Sequence, residues 1–155
     1  RAACEQGASQ LGVSSLRDLG ISDLDEAEKI LDPLVYKRVR HVVTENARVL
    51  ETVDSLKSSG PTSIGHLLYA SHASMRDDFE ISIDELDLAV ETAMGTGAIG
   101  ARMTGGGFGG AAIALIGSSK VADLKAAVSE AFKARGFAKP ELFSVLADAG
   151  ARREA

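Results

Sequence analysis

The longest periodic run of apolar positions lies between Val35 and Leu56. Val35, Val39, Val42, Val49, Val53 and Leu56 recur at helical spacings, and Val43 and Leu50 widen the stripe. That pattern predicts an amphipathic helix with this face turned to a core. Asp32-Pro33 supplies its start, an N-cap acceptor followed by proline at the first helical position. The helix is expected to reach about Ser58 and stop at Gly60-Pro61. Asn46 interrupts the stripe, with His41, Glu45 and Arg48 beside it. Either a satisfied internal hydrogen-bond network or a contact with another domain or a ligand accounts for such a patch.

Around this helix the pattern predicts shorter elements. Arg1 to Gln10 is alanine-rich and helix-compatible, Ser14 to Leu24 reads as a loop or short helical turn, and Asp23 to Leu31 as a short acidic helix. Thr62 to about Asp78 reads as a helix with Ile64, Leu67, Leu68, Ser71 and Met75 along one side. Ser82 and Glu85 have capping-box spacing, and the helix they open ends at Gly95 after burying Ile83, Leu86, Leu88, Val90 and Met94 to different depths. Ser118 or Ser119 is expected to cap a further helix that ends at Gly136, and Glu141 to Ala147 to form a last strand. The polar tail from Asp148 to Ala155 is expected to be mobile.

The run Ala101 to Ile116 breaks the helical periodicity. Five of the six residues from Gly105 to Gly110 are glycine, and an uncharged apolar run follows. Glycine is a poor helix former. The prediction is therefore a strand from Ala101 to Thr104, a tight loop, and a buried strand from Ala111 to Ile116. Such a loop either faces phosphate through its backbone N–H groups or is a strand-to-strand turn packed on another element. Two G-x-G-x-x-G matches occur, at Gly95, Gly97, Gly100 and at Gly105, Gly107, Gly110. A dinucleotide fingerprint must follow a strand and open a helix, and both matches lead instead into a strand, so both are rejected. A P-loop needs Lys-Ser or Lys-Thr after its last glycine, where Ala111-Ala112 stands. Arg102 is the nearest positive charge and can point either way.

The chain has 155 residues, 45% hydrophobic and 25% charged. This is enough for one domain with a real core, and no repeat, low-complexity tract or linker divides residues 1–155. The class is α+β, helices packed on one face of a small antiparallel sheet. A net charge of -5 argues against a general nucleic-acid binder. The single cysteine, Cys4, permits no internal disulfide and reads as a small apolar side chain. No apolar run approaches the ~20 residues that span a bilayer, so no membrane partner is expected. A start at Arg1, and not Met, suggests a processed chain or a piece of a longer one.

The polar group Ser71, His72, Ser74, Arg76, Asp77 and Asp78 is the other candidate site. His72 reads either as a hydrogen-bonded structural histidine or as a functional one. Ser71-His72 is no hydrolase pair, because adjacent helical residues do not face each other and no G-x-S-x-G elbow is present. Asp77-Asp78 lacks further oxygen ligands for a cation, and Arg76 is expected to form ion pairs there. No metal site is assigned.

Arg102-Met103-Thr104-Gly105-Gly106-Gly107-Phe108-Gly109-Gly110 closely resembles the third conserved motif of the GHMP kinases, in its galactokinase form. Arg40-His41-Val42-Val43-Thr44-Glu45-Asn46 and the stretch Ser71 to Glu80 (SHASMRDDFE) resemble the same family, and the likeness extends over nearly the whole chain. One departure is Ala111, where relatives often carry cysteine; the side chain stays small. The resemblance implies the C-terminal domain of a galactokinase, with a ferredoxin-like α+β fold. It implies a cytoplasmic enzyme that transfers the γ-phosphoryl of ATP, with Mg²⁺, to the C1 hydroxyl of α-D-galactose. The sugar signature, serine-rich phosphate loop, catalytic aspartate and its arginine partner belong to an N-terminal domain, and none of those motifs occurs here. The resemblance thus assigns no catalytic residue to this chain, which is expected to be inactive alone. It makes Gly105, Gly106, Gly107, Phe108, Gly109 and Gly110 a phosphate or active-site loop, and Ser71, His72, Arg76, Asp77, Arg102 and Thr104 candidates for lining the cleft or supporting the loop. Expected partners are galactose, ATP and the N-terminal domain. A non-catalytic sugar and nucleotide sensor, or another small-molecule kinase of the superfamily, is the alternative.

Overall fold

The computed structural model describes residues 1–150 and residue 153. Helix α1 (Ala2–Gln10) leads through two 3-10 turns into α2 (Leu24–Ile30) and the long α3 (Pro33–Ser59). A 3-10 turn at Pro61–Ile64 precedes α4 (Gly65–Asp77), which is followed by α5 (Asp84–Gly95). The hairpin β1 (Gly100–Thr104) and β2 (Ala111–Leu115) comes next, then a 3-10 turn and α6 (Val121–Arg135). This is the expected α+β arrangement.

The signals at the ends of α3 act as read. Asp32 Oδ1 accepts the N–H groups of Leu34 and Val35, each at 3.1 Å. Gly60 closes the helix at φ 79°. Its apolar stripe does not behave uniformly. Val35, Val39 and Val43 are buried with Ala8, Leu16, Leu24, Ala27 and Leu31 in a first core. Val49, Leu50, Val53 and Leu56 are 55%, 69%, 41% and 42% exposed. The core-facing expectation therefore fails for the second half of α3. Helices α1 and α2 pack on its first half; α4 and the 3-10 turn Pro61–Ile64 meet the second half without burying these four side chains.

The second core lies where α4 and α5 meet the hairpin. The strands pair antiparallel, Ala101 opposite Ala114 and Met103 opposite Ala112. Met103, fully buried, packs with Met75 and Leu86, while Ala101 packs with Val90, Ala93 and Ala98. The other sheet face carries Arg102 opposite Ile113. β2 is not the buried strand expected, since Ala111, Ile113 and Ala114 are exposed and no further strand flanks it among the described residues. The outer edge of β1 is covered by α4. A Cβ built on Gly65 would lie 1.9 Å from the Ile99 carbonyl oxygen, and one on Gly100 would lie 2.7 Å from Gly65 Cα. Helix and strand backbones touch there, and only glycine permits it.

Four local expectations are corrected. Ser82 does not cap α5: Ile83 is the N-cap, and Ser82 Oγ instead donates to Asp87 Oδ1 at 2.5 Å, a charged and stronger acceptor. Met94 on that helix is 52% exposed. No serine caps α6, which grows out of the 3-10 turn Ser118–Lys120; Gly136 ends it in the left-handed conformation, as read. Residues 141–147 form no strand. They lie along the surface with Phe143, Val145 and Leu146 at 76%, 76% and 94% exposure, and they do not pair with the free edge of β2. Residues 148–150 carry no secondary structure, and the mobility expected of the tail otherwise concerns residues 151, 152, 154 and 155, which lie outside the described ones.

Gly65→Ala is expected to destabilise the chain by about 1–3 kcal/mol, the cost of overpacking, because the Ile99 backbone must move. Urea unfolding checks it; a variant as stable as the parent would show that α4 and β1 do not need this contact.

Candidate functional site

The glycine loop joins β1 to β2 with Thr104, exposed, opposite Ala111 at its base. Five loop residues take positive φ: Gly105 at 93°, Gly107 at 85°, Phe108 at 57°, Gly109 at 126° and Gly110 at 99°. Such a run explains the glycines, since other residues adopt it at a cost. Gly107 has a second reason. A Cβ there would lie 2.5 Å from the Ile81 carbonyl oxygen and 2.6 Å from Ile81 Cβ. The same carbonyl accepts the Phe108 N–H at 2.8 Å. The Phe108 side chain stays 75% exposed. By contrast, Cβ atoms on Gly105 and Gly106 would meet nothing within 4 Å, and Gly106 φ is not left-handed. The loop is thus pinned at Gly107 and Phe108 and open at Gly105 and Gly106.

Helix α4 holds the strand beneath the loop. His72 is buried, and its Nδ1 accepts the Met103 N–H at 3.2 Å. The neutral ring then carries its proton on Nε2, which lies 3.1 Å from Asp87 Oδ1. That N–H finds no well-aligned acceptor among the described residues; Asp87 acts on it through charge. Burial pushes the His72 ring below its ordinary value, with Asp87 opposing. Ser71 Oγ donates to Glu45 Oε1 at 2.5 Å, and Arg102 Nη1 donates to the same oxygen at 3.1 Å. Arg48 Nε binds Glu45 Oε2 at 2.8 Å. Burial raises the Glu45 carboxyl, but the hydrogen bonds from Ser71 and Arg48 and the charges of Arg48 and Arg102 outweigh it and hold it below the usual range.

His41 Nδ1 contacts Ser74 Oγ at 3.0 Å, and its ring stacks on Phe79 with centroids 4.4 Å apart. Burial lowers its pKa despite the Glu45 carboxylate. Arg40 forks onto the Asp78 carboxylate. His41, Glu45 and Arg48 of the polar patch thus belong to an internal hydrogen-bond network that, with Arg40, ties α3 to α4 and Arg102; among the described residues Asn46 takes no part in it.

The candidate residues fall into two groups. Ser71, His72 and Arg102 are brought together beneath the loop. Arg102 points away from it, toward Glu45 and Met75, and is not a free cation for phosphate. Arg76 and Asp77 lie apart, on the outer side of α4, where Arg76 Nε binds Asp77 Oδ1 at 2.7 Å. Among the described residues no cluster of histidine, cysteine and acidic side chains could hold a metal. A surface groove of ≈ 590 Å³ around Cys4, Ala8 and Val13 touches the three motif stretches only at Val42. A groove of ≈ 340 Å³ between α3 and α4 carries Arg40, Thr44, Arg48 and Asp77, but its arginines are already paired with Asp78 and Glu45. The loop is the better candidate. Ile81, which seats it, carries no local sequence signal; Glu45 was visible as a charge within an apolar helix.

The family model described as GHMP kinases C terminal matches residues 52–134. The chain belongs to the GHMP kinases, as part of their C-terminal domain. It is 52% identical over 155 residues to a galactokinase of Streptomyces coelicolor, a match covering 99% of this chain and 40% of that protein. It is 48% identical over 153 residues to a galactokinase of Streptomyces lividans, covering 97% and 38%. A crystal structure of Lactococcus lactis galactokinase complexed with galactose matches with a TM-score of 0.82 at 36% identity, over 88% of this chain and 37% of that one. The chain spans about two-fifths of the length of these curated relatives.

Because His41 and His72 titrate below their unfolded value, their neutral burial contributes stability that is complete above pH ~6.5 and is lost as pH falls from there. Urea unfolding at pH 7.5 and 5.5 should show lower stability at 5.5, with part of the difference removed in His41→Asn or His72→Gln. Equal stability at both pH values would mean that the two rings do not resist protonation.

Proposed function

We propose that this chain is the C-terminal part of a cytoplasmic galactokinase and forms a single domain over residues 1–155. The observation that carries the reading is the glycine loop, pinned by Ile81 at Gly107 and Phe108 and open at Gly105 and Gly106. The 52% identity with a galactokinase across the chain supports it. In the reaction the C1 hydroxyl oxygen of galactose attacks the γ-phosphorus of ATP. The bond to the β,γ-bridging oxygen breaks, ADP leaves, and the hydroxyl proton passes to a base in the N-terminal part.

Such transfer depends on positioning and on stabilising spread negative charge. Gly105 and Gly106 suit it by what they lack: a backbone without side chains can approach phosphate oxygens, or brace the N-terminal phosphate loop, without intrusion. Ser71, His72, Arg102 and Thr104 support the loop, while Arg76 and Asp77 face the rim. Mg²⁺ would be held with the nucleotide by the N-terminal part, since among the described residues no cluster of histidine, cysteine and acidic side chains could hold it.

The full-length protein should form ADP from ATP in the presence of galactose and much less with N-acetylgalactosamine or other hexoses, and the 155-residue chain alone should not turn over. Gly106→Val in the full-length enzyme should lower kcat/KM at least about tenfold while shifting Tm by no more than about 4 °C. Gly107→Ala should lower both, since Ile81 stands in its way. Absence of galactose-dependent ADP formation would overturn the function, and a fully active Gly106→Val would overturn the role of the loop.

A further inference from the structure

The loop hangs on Ile81, and Ile81 follows a strained turn. Glu80 is non-glycine with φ 56°, a left-handed conformation that a long side chain seldom adopts. Its carboxylate is gripped on both oxygens from α3: Lys37 Nζ lies 3.2 Å from Oε1 and Arg38 Nη2 2.7 Å from Oε2. The other Arg38 terminal nitrogen donates to the Asp78 carbonyl. One guanidinium thus holds the turn on either side of Phe79. Arg38 is largely buried, with its side chain 16% exposed, so it is a fixed post. Beyond the turn, the Ile81 N–H donates to the Met75 carbonyl at 3.0 Å and the Ile81 carbonyl accepts from Phe108 at 2.8 Å.

We propose that Glu80 and Arg38 are positioning residues for the glycine loop. Their pairing keeps the Asp78–Ile81 turn in the left-handed form that aims the Ile81 carbonyl at the Phe108 N–H and seats Gly107 on the Ile81 backbone. Ion pairs whose carboxylate stays 46% exposed, as that of Glu80 does, contribute little to overall stability. The pairing is therefore expected to govern where the loop stands and to leave folding nearly untouched. The inference deepens the proposed kinase function by adding a pair of residues, 42 apart in sequence, that act on the loop without touching the nucleotide or the sugar.

The test uses the full-length enzyme. Glu80→Ala keeps the Cβ and removes both ion pairs; Arg38→Met keeps the stem and removes the post. Hydrogen exchange of the peptide containing Phe108 should accelerate about tenfold or more in each, as expected when a local opening no longer meets its anchor. Tm should shift by only a few degrees. The value of kcat should fall about tenfold or more with KM for galactose nearly constant, and Glu80→Gln, whose amide oxygen still accepts from Arg38, should recover most of it. Exchange at Phe108 unchanged in both variants overturns the proposal, as does unchanged kcat beside accelerated exchange. Should the parent enzyme not phosphorylate galactose, the proposed function fails on its own, and the exchange rate still decides whether Glu80 and Arg38 hold the loop.

Discussion

The arrangement of this molecule depends on one contact, the seating of Gly107 and Phe108 on the backbone of Ile81. A side chain at Gly107 would occupy the space of the Ile81 carbonyl. The carbonyl in turn takes the only loop N–H engaged in a backbone hydrogen bond outside the hairpin among the described residues. Without that anchor, a loop of five glycines between two short strands would sample many shapes, because glycine has the most conformational freedom to lose. With it, the remaining glycines become a fixed, side-chain-free surface.

Helix α4 makes the anchor possible by touching the hairpin in three ways. Gly65 lets its first turn lie against the backbone at Ile99. His72, two turns further along the same face, caps the outer edge of β1 through the Met103 N–H. Its C-terminal turn carries Ile81 to the loop. Helix α3 then holds α4 through polar contacts: Glu45 to Ser71, His41 to Ser74, Arg40 to Asp78. Buried polar groups cost free energy unless paired. Their mutual satisfaction sets the registry between the two helices, where an apolar seam would tolerate sliding.

Much of this was legible where chemistry is local. Asp32-Pro33, Gly60 and Gly136 mark helix ends by conformational rules that need no partner, and the glycine run between apolar stretches marks a hairpin. The rest depends on contacts distant in sequence. Periodicity shows that α3 has an apolar face; it does not show that Val49, Leu50, Val53 and Leu56 lack a cover in this chain. Ser82 and Glu85 have capping-box spacing, yet the carboxylate of Asp87 outcompetes the backbone. Phe143 and Val145 alternate as a strand does, but a strand exists only beside another. Ile81 carries no signal of its own and Glu80 none beyond closing the Ser71–Glu80 motif, since their role at the loop comes from residues more than twenty positions away. The motif words located the candidate site; the geometry separated Arg102, turned inward to Glu45, from the open glycines.

We propose that Gly105 and Gly106, on the open side of the loop, form one wall of a phosphoryl-transfer site whose other wall lies in the N-terminal part of the enzyme. A crystal structure of the full-length protein with galactose and a non-hydrolysable ATP analogue tests this most directly. The Gly105–Gly106 backbone is expected against the nucleotide phosphates or the phosphate loop of the N-terminal part, with the Phe108 to Ile81 hydrogen bond intact. A loop facing solvent, remote from the nucleotide, would contradict it.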